Sequence, residues 1–304
     1  MPHVIPKAER PRRAVVVGAG PAGLEAARVA AERGHEVVVL EAAPQAGGQV
    51  ALLTANPRRR DMTGIVEWRL AELDRLGAEV RYNRLAEAAD VLALSPEVVV
   101  IATGGLPQAP EMAGDHLALS SWDVLSGEVK PEGRILVYDD NGAHPGMSAA
   151  EVLARGGAEV ELISPERFFA PEIGGMNHVP YMRAFQECGV RVTIATRVTA
   201  IRHEGNELVA TLGSDFAPGW TEERRVDRVV VEHGTAPNDA LYHALRPLSR
   251  NRGEVDYRAL IGRGDPFPER NPGAPFLLYR IGDAVASRNI HAGIYDALRY
   301  GLRW

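Results

Sequence analysis

The chain has 304 residues, 45% of them hydrophobic and 24% charged, with a formal net charge of −6. That is room for two α/β domains of ordinary size, and the acidic balance argues against nucleic acid or an anionic membrane surface as a partner. No stretch approaches the ~20 apolar residues of a membrane helix, and the apolar run behind the basic arm (Lys7, Arg10, Arg12, Arg13) stops at Gly18, too short for a secretory signal, so a cytoplasmic location is expected.

Residues 14–41 read AVVVGAGPAGLEAARVAAERGHEVVVLE. Val15, Val16 and Val17 predict a strand, Gly18-Ala19-Gly20-Pro21-Ala22-Gly23 a turn, the Ala-rich stretch a helix, and His35 to Leu40 a second strand ending in Glu41. This is the pattern that holds an adenine dinucleotide. Gly18 allows a sharp turn, Gly20 lets the pyrophosphate approach the backbone, and Gly23 lets the helix lie close on the strand. The helix N-terminus offers unpaired N–H groups and a partial positive charge to phosphates. Glu41 lies 41 − 18 = 23 positions after Gly18, near the ~20 expected of a carboxylate that binds a ribose hydroxyl.

Further along, Arg58-Arg59-Arg60 is the densest basic run and is followed by Asp61. It reads first as a solvated loop, with a docking or phosphate-contacting loop as the alternative. Trp68 in WRLAELDRLG has helix spacing, which favours core over interface. Val98-Val99-Val100-Ile101 predicts a buried strand, and the small-residue turn Ala102-Thr103-Gly104-Gly105 is where the chain would leave its first domain. The return is expected at Gly234-Thr235-Ala236-Pro237-Asn238.

Between these points the pattern repeats in damaged form. A strand is expected at 134–138, a helix from Ser148 to Arg155 and a further strand after Gly157. Aligning Gly157 with Gly34 matches Gly146 to Gly23, and places Asn141 and Ala143 at the other two glycine positions and Ser164 at the acid. Ala143 brings a methyl group toward the pyrophosphate, and Asp139 and Asp140 bring negative charge. At an effective dielectric near 20, one like-charge pair at ~4 Å costs about 4 kcal/mol, half of a micromolar binding energy of about 8 kcal/mol. This half is expected to keep the fold and to bind NAD(P)H poorly or not at all. Ser164 and Arg167 nevertheless leave NADPH open, because no acid there rejects a 2′-phosphate. Cys188 is the only cysteine, which excludes an internal disulfide, CxxC chemistry and an unaided iron–sulfur cluster; a buried structural thiol at a helix end is expected. Leu277 to Ile281 then predicts a strand that delivers Gly282-Asp283, and a helix follows from about Ile290 to Leu302. Asp283 suits a polyol hydroxyl or an N-cap. His291, in the first turn of that last helix, is read either as a flavin neighbour or as an ordinary surface residue.

GAGPAG with Glu41, Gly47-Gly48-Gln49, Ala102-Thr103-Gly104, GxxPN at 234–238 and Gly282-Asp283 together resemble the flavoproteins with two dinucleotide-binding domains, the glutathione and thioredoxin reductase architecture. The resemblance implies an α/β fold of two Rossmann-like domains, the second inserted in the first: residues 1–110 and 235–304 for FAD, 111–234 for the NAD(P)-binding-like domain. EAAPQAGGQV, VYDDNGAHPGMSAAE, EIGGMNH and IGDAVASRNIHAGIYDALR narrow it further. They look like the C-terminal half of the iron–sulfur flavoenzymes that include trimethylamine dehydrogenase, histamine dehydrogenase and 2,4-dienoyl-CoA reductase. Carried over, Gly18, Gly20, Pro21, Ala22, Gly23, Glu41 and Ala42 would hold the ADP part, with Gly48 and Gln49 along the nucleotide. Ala102, Thr103, Gly104, Gly282, Asp283, His291 and Ala292 would complete the cofactor contacts, Asp283 meeting the ribityl chain. No metal ligand set and no catalytic base is implied; the flavin is the reactive group.

In that group an FMN-bearing barrel of about 250 residues and a 4Fe–4S cluster precede this half. Here the first nucleotide-binding strand begins within twenty residues of Met1. The barrel and cluster are therefore expected on a partner chain in a hetero-oligomer, a short polar arm after Met1 favouring a separate subunit over an excised fragment. The leading expectation is an FAD-binding electron-transfer subunit of an amine-oxidising or N-demethylating enzyme, passing electrons to an electron-transfer flavoprotein or a nicotinamide. The alternatives are a free-standing NAD(P)H-dependent FAD reductase feeding a ferredoxin-like acceptor, and an ADP-binding structural or regulatory module. Arg58–Arg60, Trp68 and Trp304 are candidates for the partner surface.

Overall fold

A computed structural model describes residues 4–109, 112–262 and 264–304. Met1 and the expected domain boundary at 110/111 lie outside the described residues. The chain divides into two compact units, one made of residues up to Val50, Met62–Leu106 and Ala236–Trp304, the other of Ala51–Asp61 and Pro107–Thr235.

In the first unit β1 (Arg13–Val17), β2 (Glu36–Leu40), β3 (Glu79–Arg81), β4 (Val98–Ile101) and the strand Leu277–Arg280 form one parallel sheet, in the order Leu277–Arg280, β4, β1, β2, β3. The Val-rich runs suit a sheet buried on both faces. Val15, Val16, Val99, Val100 and Leu278 are fully buried. Helix α1 (Pro21–Glu32) follows β1 and packs its Ala-rich face on the sheet, next to Tyr279, Tyr300 and Trp304 of the same core. Matched strand ends decide what comes next. Gly18 donates its N–H to Leu40, Ala102 to Val17 and Ile281 to Ile101, so Gly18, Glu41, Ala102 and Gly282 all leave the sheet at its carboxyl edge. In open α/β sheets ligands bind there, where neighbouring strand connections diverge.

The second unit repeats the plan. Leu119–Ser120, Arg228–Glu232, Arg134–Asp139, Glu159–Ile163 and Arg191–Thr193 make a five-stranded sheet in that order, with a three-stranded sheet from Arg197–Glu204, Glu207–Gly213 and Thr221–Val226. The expected helix at 148–155 begins earlier, as His144–Arg155, because Pro145 sits in its first turn and Ala143 occupies the N-cap. A proline there loses no intrahelical bond.

Three expectations change here. Trp304 is 3% exposed and packs against Tyr279 with ring centroids 5.6 Å apart, so it is core and not partner surface. Trp68 is 52% exposed, with the guanidinium carbons of Arg28 and Arg69 at 5.3 and 5.4 Å from its ring, where spacing had favoured core. Cys188 ends the helix Gly175–Cys188 but is half-buried, packed at the margin of the second core.

Candidate functional site

Gly18 has φ +104°, and a Cβ there would lie 2.3 Å from the Ala102 carbonyl oxygen. A Cβ on Gly23 would lie 1.9 Å from the Gly18 carbonyl oxygen. These two glycines are required by the packing of turn and helix. Gly20 differs: its φ is −75° and a Cβ would meet nothing within 4 Å. It faces open space at the N-terminus of α1, where no side chain caps the helix. An uncapped helix start beside an open glycine is a cradle for a pyrophosphate.

Around this loop the expected residues converge. Glu41 accepts hydrogen bonds from the Ala19 N–H at 2.6 Å and the Ala43 N–H at 2.8 Å, tying the end of β2 to the glycine turn. Ala42 between them is exposed. Gly47 donates its N–H to the Ala19 carbonyl, setting Gly48 against Gly20. The Gln49 amide donates to Asp283 at 3.0 Å across 234 positions of sequence. Asp283 also accepts the Arg288 N–H at 3.1 Å, so it organises its own loop instead of capping a helix. Burial pushes the Asp283 carboxyl up, against the hydrogen bonds from Arg288 and Gln49. Gly282 (φ +61°) and Gly293 let this segment approach the Ala22 methyl. The Thr103 hydroxyl donates to the Asn238 carbonyl and Asn238 N–H to the Gly104 carbonyl, so the exit and return segments are stitched together.

His291 is exposed and stacks on Tyr295 at 6.4 Å. The N–H of Ala292, one of the expected cofactor contacts, is taken by the Asn289 side chain at 2.9 Å. Asn289 directly before an apolar helical run is an N-cap legible in the sequence. These residues fit the ADP and ribityl parts of FAD: an open cradle at Gly20, an acid at the end of β2, and a carboxylate–amide pair just past the strand Leu277–Arg280.

The second turn is built differently. Asp139 is 0% exposed, and its carboxylate accepts the N–H groups of Asn141 at 3.0 Å and Gly142 at 2.8 Å. The charge that was expected to face an incoming anion is instead tucked under the turn. A Cβ on Gly146 would lie 2.6 Å from the other carboxylate oxygen of Asp139, which has no hydrogen-bond partner among the described residues. Burial pushes the Asp139 carboxyl up to about 7, with Glu232 and Asp140 adding to it and the two N–H groups opposing. His233 sits 2.8 Å from Asp140. Ser164 is buried, and Arg167 is exposed.

Arg58-Arg59-Arg60 is a solvated loop only in part: Arg58 and Arg60 are exposed, whereas Arg59 is buried. The run lies in a 3₁₀ turn, Pro57–Thr63, and Arg59 is 8% exposed. Arg58 pairs with Glu151, and its guanidinium lies 4.5 Å from the Tyr181 ring. Arg59 donates to the Tyr181 hydroxyl at 3.1 Å and meets His144 at 2.7 Å. Burial, then Arg59 and Arg58, lower the His144 ring to about 4. Asn56 donates to Glu151 at 2.7 Å. The sequence carried no signal for this network beyond the basic run, because its partners lie some 90 positions away. Burial pushes the Glu151 carboxyl up, but the hydrogen bonds from Arg58, Asn56 and Arg155 outweigh it and leave it below its ordinary range. Glu151→Ala strands those three donors, and is expected to cost about 3–5 kcal/mol of stability in denaturant melts; a loss under about 1 kcal/mol sinks this reading.

Among the described residues no group of three or more His, Cys, Asp or Glu could hold a metal ion, and no helix is long and apolar enough to cross a membrane. The model of the pyridine nucleotide-disulphide oxidoreductase family matches residues 12–259. The chain is 51% identical over 300 residues to a probable N-methylproline demethylase of Rhizobium meliloti (strain 1021), covering 98% of this chain and 44% of that protein. It is 44% identical over 313 residues to an N,N-dimethylglycine/sarcosine dehydrogenase of Chromohalobacter salexigens, covering 98% and 45%. Histamine dehydrogenase from Rhizobium sp. 4-9 superposes with a TM-score of 0.80 at 25% identity, over 99% of this chain and 42% of that one. The chain thus spans less than half the length of these relatives.

Proposed function

The chain belongs to the pyridine nucleotide-disulphide oxidoreductase family of flavin-dependent oxidoreductases, and from that membership we propose that it is the FAD-binding, electron-transferring part of an iron–sulfur flavoenzyme that oxidatively demethylates N-methylated amino acids or related amines. The observation that carries this is the contrast between the two glycine turns: the first is open at Gly20, the second is braced by a buried carboxylate. The names of the relatives, a demethylase and a sarcosine dehydrogenase, supply the substrate class. Substrate chemistry, with FMN and a 4Fe–4S cluster, would belong to polypeptide outside this chain, which has one cysteine and no disulphide chemistry of its own.

FAD, when bound, supplies reversible exchange of one or two electrons. The protein's part is position and electrostatics. The N-terminus of α1 would face the pyrophosphate, and Gly20 leaves the backbone accessible to it. Glu41 would take the ribose hydroxyls of the adenosine, while the Asp283–Gln49 pair would meet the ribityl chain. The electrons would leave to an electron-transfer flavoprotein or a ferredoxin-like protein.

Nucleotide released by denaturing the purified protein is expected to have the mass of FAD. ADP alone would leave a structural module and overturn the electron-transfer reading. A second reading, a reductase driven directly by NAD(P)H, is favoured by one observation: the helix start at His144 has no side-chain cap. It requires NADH or NADPH alone to bleach the flavin without oxygen, and no bleaching with either eliminates it.

A further inference from the structure

Arg12 immediately precedes β1, and Leu277 opens its strand, so both stand at the amino edge of the first sheet, away from the glycine loop. There a cleft of about 490 Å³ opens among Arg12, Arg250, Phe267 and Leu277, with Asp265 and Glu269 also on its lining. Neither Arg12 nor Arg250 forms an ion pair among the described residues. Among the described residues Arg250 gives its guanidinium only to backbone carbonyls, Ala274 at 3.2 Å and Pro275 at 3.5 Å. Two guanidiniums without a carboxylate, lining one cavity, leave several donors for an outside acceptor.

A second, independent observation lies two residues along the strand. Tyr279 shares the sheet face of Leu277, is 0% exposed, and its hydroxyl has no hydrogen-bond partner among the described residues. Its ring meets Phe267 edge-on at 4.8 Å. Burial pushes the Tyr279 hydroxyl well above its ordinary range, with Arg12 and Arg250 pulling the other way. The hydroxyl is therefore a neutral donor that feels the charges of the cleft. A buried hydroxyl without a partner is costly, and such groups call for an explanation. The acids restrict what fits. Asp265 accepts the Phe267 N–H at 3.0 Å, turning one oxygen to its own loop, and Glu269 is exposed; both repel a multiply charged anion.

We propose that this cleft is a second ligand site, which takes a small organic monocarboxylate with its charged head on Arg12 and Arg250 and its apolar body against Phe267 and Leu277. Calorimetric titration of the FAD-saturated protein with benzoate, at fixed ionic strength, tests it. Saturable binding is expected, weakened about tenfold or more for benzamide, which has the same shape without the charge, and for Arg12→Ala. Arg12→Lys should retain part of the affinity. No saturable heat up to about 10 mM, binding of benzamide equal to benzoate, or full affinity in Arg12→Ala overturns the proposal. So does inorganic phosphate binding as tightly as benzoate.

Discussion

Gly23→Ala is expected to yield a destabilised protein that purifies without flavin, whereas Gly20→Ala is expected to fold normally and lose flavin. The new Cβ at 23 would sit 1.9 Å from the Gly18 carbonyl oxygen. The carbonyl oxygen belongs to the backbone and the backbone fixes the position of the Cβ, so neither can rotate away. Relief requires α1 to move off β1, and with it Ala26, Ala27 and Ala30, which are buried against the sheet. Overpacking of this kind costs about 1–3 kcal/mol or more. At Gly20 the backbone is extended and the space is open, so the same methyl should shift the stability of flavin-free protein by no more than about 0.5 kcal/mol. What it takes away is the approach of pyrophosphate to the backbone. Flavin-to-protein absorbance and urea melts of the flavin-free proteins separate the effects. Equal melts for both variants, or full flavin content in Gly20→Ala, contradict the assignment of the loop.

The Asp139 contribution to the stability of the second unit should fall as pH rises from about 5 to 8, and Asp139→Asn should abolish much of that fall. Asp139 is buried, with its carboxyl pushed up to about 7 by burial, Glu232 and Asp140. Between the ordinary carboxylate range and that value the native state holds a proton that the unfolded chain has already released. Stability therefore drops as pH rises through this window and the whole cost is present above it. A displacement of about three pH units corresponds to about 4 kcal/mol. Asparagine keeps an oxygen for the N–H groups of Asn141 and Gly142 but never ionises, so the variant should be the more stable protein at pH 8 and close to the parent at pH 5. Asp139→Ala leaves both N–H groups without their acceptor and should be destabilised at both values. Parallel pH profiles for parent and Asp139→Asn would show that the group does not titrate in this window.

Local pattern made the strand–turn–helix units legible. β-branched runs marked buried parallel strands, glycine spacing marked the turns, and Pro21 marked the start of α1. Spacing alone also separated the intact turn from its damaged copy. The meaning of the damage was not legible: Asp139 reads in sequence as a charge on the approach to an anion, and only packing against Gly146 reveals that it faces inward. Trp68 and Trp304 illustrate the same limit, since helix spacing says which residues share a face but not what covers it.

By itself, then, the sequence determined the fold class and the glycine loop proposed to cradle a dinucleotide, because both depend on backbone conformations and periodicities set within about 30 residues. Tertiary structure decided which distant groups meet there. The Gln49–Asp283 pair, the Thr103–Asn238 stitch and the burial of Arg59 beside Tyr181 depend on strand order and helix packing, and no local preference encodes them. The same holds for Arg12, Arg250 and Phe267, which unremarkable stretches of chain supply to one cleft at the far edge of the sheet.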